Sequence, residues 1–148
     1  MDILDERVHP DKKRSLPEWN ACCTSGARDR ASRAFSRRNA ALSFEERLAL
    51  MQGIPNMGEP ALDKDGTLVL HAVYYRTGEK FGCGCPTFRG VKRDYPVSRS
   101  YCLCCGGHFK YHYAIMPGVG LELLGVISSP LCTGGEQPCV FRFKVTGQ

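Results

Sequence analysis

No apolar run in this sequence approaches the roughly 18 residues that span a bilayer, so no transmembrane helix is expected. The first residues, Met1-Asp2-Ile3-Leu4-Asp5-Glu6, lack the basic-then-apolar order of a secretory signal, which makes a cytoplasmic location the default expectation. Internal repeats and low-complexity tracts are missing, as are an aromatic stacking run and the spacing of a Cys2His2 finger. An even cysteine count is missing too. The chain has nine, so complete intramolecular disulfide pairing is excluded, and a reducing compartment disfavours a disulfide framework in any case.

What is present fits one ordinary domain. A chain of 148 residues, 43% hydrophobic and 24% charged, can bury a real core without staples. The net charge of +5 is unevenly placed: Arg28, Arg30, Arg33, Arg37 and Arg38 crowd together with only Asp29 opposing them. Such a run attracts phosphates, or is simply a solvated helix face.

Residues 1–17 read as a poorly ordered, charged arm, and 18–148 as a single α+β domain with a helical N-terminal half. A weak helical pattern runs from about Glu18 to Asn39, with Thr24 or Ser25 as an internal cap. Ser43 and Glu46 form a capping box that starts a second helix. Phe44, Leu48 and Met51 share its inner face, and Gly53 with Pro55 ends it. Residues 53–66 read as loop, closing at Asp65-Gly66. Thr67 to Arg76 reads as one largely buried strand, which makes His71 a core histidine; Tyr74 and Tyr75 pack the core or line a pocket. After a polar loop at 87–100, a helix is expected from Gly106 or Gly107 to Met116, then a strand at Leu121–Ser129. A last strand follows a Gly/Pro loop, Cys139 to Val145, with Cys139, Phe141, Phe143 and Val145 facing inward. These two strands should pair antiparallel, giving a small sheet packed against helices.

The chemistry concentrates between Cys83 and His112. Cys83-x-Cys85 and Cys102-x-Cys104-Cys105 are followed by His108 and His112, four apart on one helix face. Cys102 and Cys105 make a Cys-x-x-Cys pair, the spacing that grips one tetrahedral zinc from a tight turn. Gly82, Gly84, Gly106 and Gly107 let the backbone approach a central atom closely. Cys83, Cys85, Cys102, Cys104, Cys105 and His108 are therefore the candidate metal ligands, for zinc ahead of an iron–sulfur cluster. Thiolates at a helix start serve nucleophilic chemistry equally well. The bland alternative is buried cysteines and ordinary helix histidines. Outside this segment, Cys22-Cys23 lies in the poor helix, Cys132 is a loop thiol and Cys139 a strand core residue.

The run Cys102 to His108, the strand Leu124-Gly125-Val126-Ile127-Ser128-Ser129 and the ending Cys139-Val140-Phe141-Arg142-Phe143 resemble a bacterial Cys-rich family similar to 4-vinyl reductase-type domains. The ending, with Gly135, Cys139, Phe141 and Phe143, also resembles the L-2-amino-thiazoline-4-carboxylic acid hydrolase family. The resemblance implies a small antiparallel sheet against helices that binds a small hydrophobic ligand or serves as a sensor. It also implies Cys102 and Cys104, near Cys83 and Cys85, as site cysteines. Cys105 and His108 depart from the pattern, and the Arg-rich segment before Ser43 has no counterpart in it.

Three functions follow as expectations. The first is a metal-bearing module that binds or senses a small molecule, with self-association into a homodimer left open. The second is a hydrolase of a small sulfur- or nitrogen-containing acid, with Cys104 as nucleophile and His108 or His112 as base. Nucleic-acid binding through Arg28–Arg38 is the third and weakest; no membrane partner is expected.

Overall fold

A computed structural model describes residues 6–12, 15, 21–72, 74–86, 88 and 95–147; the side chains of Tyr74 and Tyr75, half of the 87–100 loop and part of the 1–17 arm lie outside the described residues. Of the arm, 6–7 and 10–12 are helical.

The fold is α+β. In chain order come α1 (Gly26–Arg38), α2 (Phe44–Met51), β1 (Glu59–Leu62), β2 (Leu68–His71), β3 (Tyr74–Thr77) and β4 (Lys80–Cys83). A 3-10 turn (Arg99–Cys102) leads into α3 (Leu103–Ile115), followed by β5 (Gly120–Ser128), α4 (Pro130–Thr133) and β6 (Val140–Gly147). The main sheet is antiparallel in the order β1-β2-β6-β5, and β3-β4 is a separate hairpin. No helix among the described residues is long and apolar enough to cross a membrane.

Local sequence explains several of these elements. Ser43 accepts from the Glu46 amide at 3.2 Å while Glu46 accepts from the Ser43 amide at 2.8 Å, so the capping box is complete. Phe44, Leu48 and Met51 are buried one turn apart. Alternation in β2 and β6 puts Leu68 opposite Phe143 and Leu70 opposite Phe141, all four with no solvent exposure. Burial of each such side chain stabilises the fold by roughly 1.5–3 kcal/mol.

Helix α3 lies across this face. Phe109 meets Phe141 at 5.6 Å between ring centroids, and the Tyr113 hydroxyl donates to the Met57 carbonyl at 2.8 Å. Gly106 is what lets the helix sit so low: a Cβ there would come within 2.7 Å of a Leu123 methyl on β5.

Several sequence expectations need correction. Helix α1 begins at Gly26, because Cys23 adopts φ +61° and breaks any helix running through it. Ser25 occupies the N-cap, without a side-chain cap bond. The 53–66 segment contains β1, an edge strand that pairs with β2 despite its proline. Thr67–Arg76 is two strands in two sheets, because the chain changes sheet between His71 and Tyr74. His71 points out of the main sheet and is exposed. The α3 helix starts at Leu103, so Cys104 and Cys105 lie in its first turn, wound onto the preceding 3-10 turn. The Gly/Pro loop carries α4, capped by Ser129 with Pro130 in its first turn.

Candidate metal centre

Three side chains of α3 grip three consecutive carbonyls of the segment before α1. His108, Tyr111 and His112 stand at i, i+3 and i+4 and so share a face. His108 Nδ1 donates to the Cys22 carbonyl at 2.9 Å, and His112 Nε2 donates to the Cys23 carbonyl at 3.2 Å. The Tyr111 hydroxyl shares its proton between the Thr24 carbonyl at 3.1 Å and the Asp29 carboxylate at 2.7 Å, and accepts from Arg33 at 3.3 Å. These bonds link parts of the chain more than eighty residues apart and hold Cys23 in its left-handed conformation, which costs a non-glycine residue about 1–2 kcal/mol. In extended chain, successive side chains point to opposite sides; here the bend turns the two neighbouring sulfurs the same way. The Cys22 and Cys23 sulfurs and one ring nitrogen of His108 lie within 4.8 Å of one another.

Carbonyls only accept, so each histidine's tautomer is determined. His108 carries its proton on Nδ1, leaving the lone pair on Nε2. A ligating histidine commonly has this arrangement, its second nitrogen fixed by a backbone carbonyl. His112 carries its proton on Nε2, and its Nδ1 accepts from Ser32 Oγ at 2.7 Å. Both nitrogens are engaged, so His112 has no lone pair to serve as a general base. Burial, then the neighbouring His108, holds His112 down to about 4; burial followed by Arg28 lowers His108 as well, the Cys22 carbonyl opposing. Both rings are neutral at pH 7.

A cavity of about 150 Å³ opens beside this group, lined by Cys22, Cys23, Arg28, Cys83, Cys85, Cys105, His108 and Cys139 among others. The neighbouring Cys139 thiol, then the Cys85 amide donating at 3.4 Å, brings Cys83 down to about 7 against its burial. Cys104, in the first turn of α3, is brought down to about 6 by the Cys105 thiol and nearby amides, again against burial. Cys139 and Cys105 are pushed well up, first by the neighbouring sulfur and then by burial. Cys102 is pushed up by Cys132 and by burial; it donates to Ser129 Oγ at 3.2 Å, which donates to Cys132 at 3.0 Å. Cys22, its sulfur against the cavity wall, is raised to about 11 by desolvation and then by the Cys23 thiol.

Scans against protein-family models, curated proteins and solved structures find no match to this chain. Function therefore rests on the site itself.

Of the residues singled out in the sequence, Cys83, Cys85, Cys105 and His108 line the cavity, while Cys102 points to Ser129 and Cys104 to the Tyr101 carbonyl at 3.4 Å. Among the described residues, Cys22, Cys23 and His108 are the one group whose ligand atoms converge. An adjacent Cys22-Cys23 pair in a weak helical pattern has no ligand spacing; only the bend at Cys23 brings both sulfurs to one side. Cys139 is buried as expected, and it also lines the cavity. In the arginine run, Arg28 donates to the Asn56 carbonyl at 3.1 Å and Arg33 pairs with Asp29 at 3.1 Å, while Arg30, Arg37 and Arg38 are exposed.

Proposed function

We propose that this chain is a small-molecule-binding or sensing module whose Cys22, Cys23 and His108 hold a soft divalent metal, zinc in the first instance. The observation carrying this reading is the convergence of two sulfurs and an imidazole nitrogen within 4.8 Å, with the imidazole already oriented by the Cys22 carbonyl. Around tetrahedral zinc, ligand atoms sit about 3.5–3.8 Å apart, so closure needs shifts of an ångström or less. Two thiolates and one imidazole suit zinc, whereas an iron–sulfur cluster generally takes four thiolates.

A fourth position faces the cavity, where Cys105 or a donor atom of a small molecule would complete the tetrahedron. Three protein ligands and one exchangeable position are what a responsive site requires. The resemblance of residues 102–145 to 4-vinyl reductase-type domains supports the small-molecule half of the reading.

The test is elemental analysis of the purified chain together with zinc titration against a chromogenic chelator. One zinc per chain is expected, falling below 0.1 in Cys22→Ser/Cys23→Ser and at least about tenfold weaker in His108→Ala, with Cys132→Ser unaffected. Full zinc retention in the double variant, or no zinc uptake by the unaltered chain, overturns the proposal.

A further inference from the structure

Arg28 sits in the first turn of α1, on the wall of the cavity that Cys22, Cys23 and His108 also line. Its Nη1 donates to the Asn56 carbonyl at 3.1 Å, and Asn56 belongs to the same wall, so the guanidinium is anchored at the cavity. Among the described residues this is its one hydrogen bond, and no carboxylate pairs with it. The adjoining Asp29 is held by Tyr111 at 2.7 Å and Arg33 at 3.1 Å instead. The described residues that line the cavity include no aspartate or glutamate. Arg28 also disfavours protonation of His108 on the same wall, so its charge is felt there.

Loading the metal site does not cancel this charge. Two thiolates neutralise one zinc ion and the imidazole adds nothing, so Arg28 stays uncompensated with the ion in place. The remaining wall is largely apolar, with Phe109 and Phe141 meeting at 5.6 Å between ring centroids. A volume of about 150 Å³ is enough to admit a six-membered ring such as benzene. One cation calls for one negative charge, and the planar guanidinium fork matches a carboxylate. A phosphate would bring further charge with no second cation on this wall to meet it. Arg28 also borders an open groove with Ala31, Phe35 and Arg38, but its Asn56 anchor lines the cavity and not the groove.

We propose that the cavity takes a small monocarboxylate whose apolar body is about the size of one ring. The carboxylate pairs with Arg28, and the body lies against Phe109 and Phe141. This rests on the small-molecule half of the function proposed above and names its ligand class; it does not require the metal.

The experiment titrates the full chain, with and without one equivalent of zinc, with benzoate, benzamide and inorganic phosphate, following backbone amide shifts by NMR. Benzoate should bind at least about tenfold more tightly than benzamide in both samples, moving the amides of Ala72 and Gly84 on the cavity wall. Phosphate should leave those amides in place. In Arg28→Gln the preference for benzoate should shrink to about twofold or less, and Arg28→Lys should recover part of it. Benzamide affinity unchanged in both variants reports that the cavity itself is intact. Equal binding of benzoate and benzamide to the unaltered chain overturns the carboxylate assignment and leaves the small-molecule reading standing. Failure of both to bind overturns the two together. Phosphate moving the same amides as strongly, or benzoate shifts centred on Ala31 and Phe35, also overturns the proposal. Benzoate preference without zinc uptake removes the metal reading and supports this one.

Discussion

Lowering the pH should unlock the contact between α3 and the Cys22-Cys23 segment through one residue, His112. Its ring is fully buried, accepts from Ser32 and donates to the Cys23 carbonyl, an arrangement that only the neutral form satisfies. Around it stand His108 and Arg28, which disfavour a second positive charge, and Asp29, which opposes them weakly. The ordinary value of 6.5 therefore falls to about 4 in the folded chain. Between those values the unfolded chain binds the proton and the folded chain resists it, so stability present above pH 6.5 declines as pH drops and levels off below about 4. At about 1.36 kcal/mol per pH unit, the loss between pH 7 and pH 5 is about 2 kcal/mol, reaching roughly 3 kcal/mol at the lower end. The assay is urea unfolding followed by circular dichroism at half-unit pH steps, for the unaltered chain and for His112→Gln. The variant keeps polar contacts but cannot titrate, and carboxylates such as Asp29 and Glu46 contribute to both curves, so the difference isolates His112. Parallel curves for the two proteins would refute the neutral-ring assignment.

Two further substitutions probe the frame that carries the site. Gly58→Ala should destabilise the chain by roughly 2–3 kcal/mol, because Gly58 has φ +73° and a Cβ would lie 2.6 Å from the His71 carbonyl oxygen, which is backbone and cannot swing away; a change under about 0.5 kcal/mol in chemical unfolding would contradict this. Ser43→Ala should cost about 1 kcal/mol by removing one half of the capping box, and Ser43→Asn should restore most of it. Equal losses in both would show that the cap does not hold α2.

Much of the frame was legible in the sequence because its signals are local. The capping box at Ser43, the heptad-like burial of Phe44, Leu48 and Met51, and the alternation through Phe141 and Phe143 each need only a few neighbouring residues. Errors came where a local pattern could be satisfied in two ways. Thr67–Arg76 has strand composition throughout, and nothing in it marks the change of sheet at 72–74. Two glycines suggest a helix start at Gly106, but Leu123 crosses the helix there and Gly106 serves that close packing instead.

The sequence by itself determined the α+β class, the pairing of the last two strands and a thiol-rich segment from Cys83 to Cys105. Which thiols meet was decided by tertiary structure alone. Cys22 and Cys23 reach His108 because three α3 side chains bind carbonyls across more than eighty residues. Short-range periodicity encodes which face of an element is buried. Convergence of distant side chains depends on how those elements pack, and that information is spread over the whole chain.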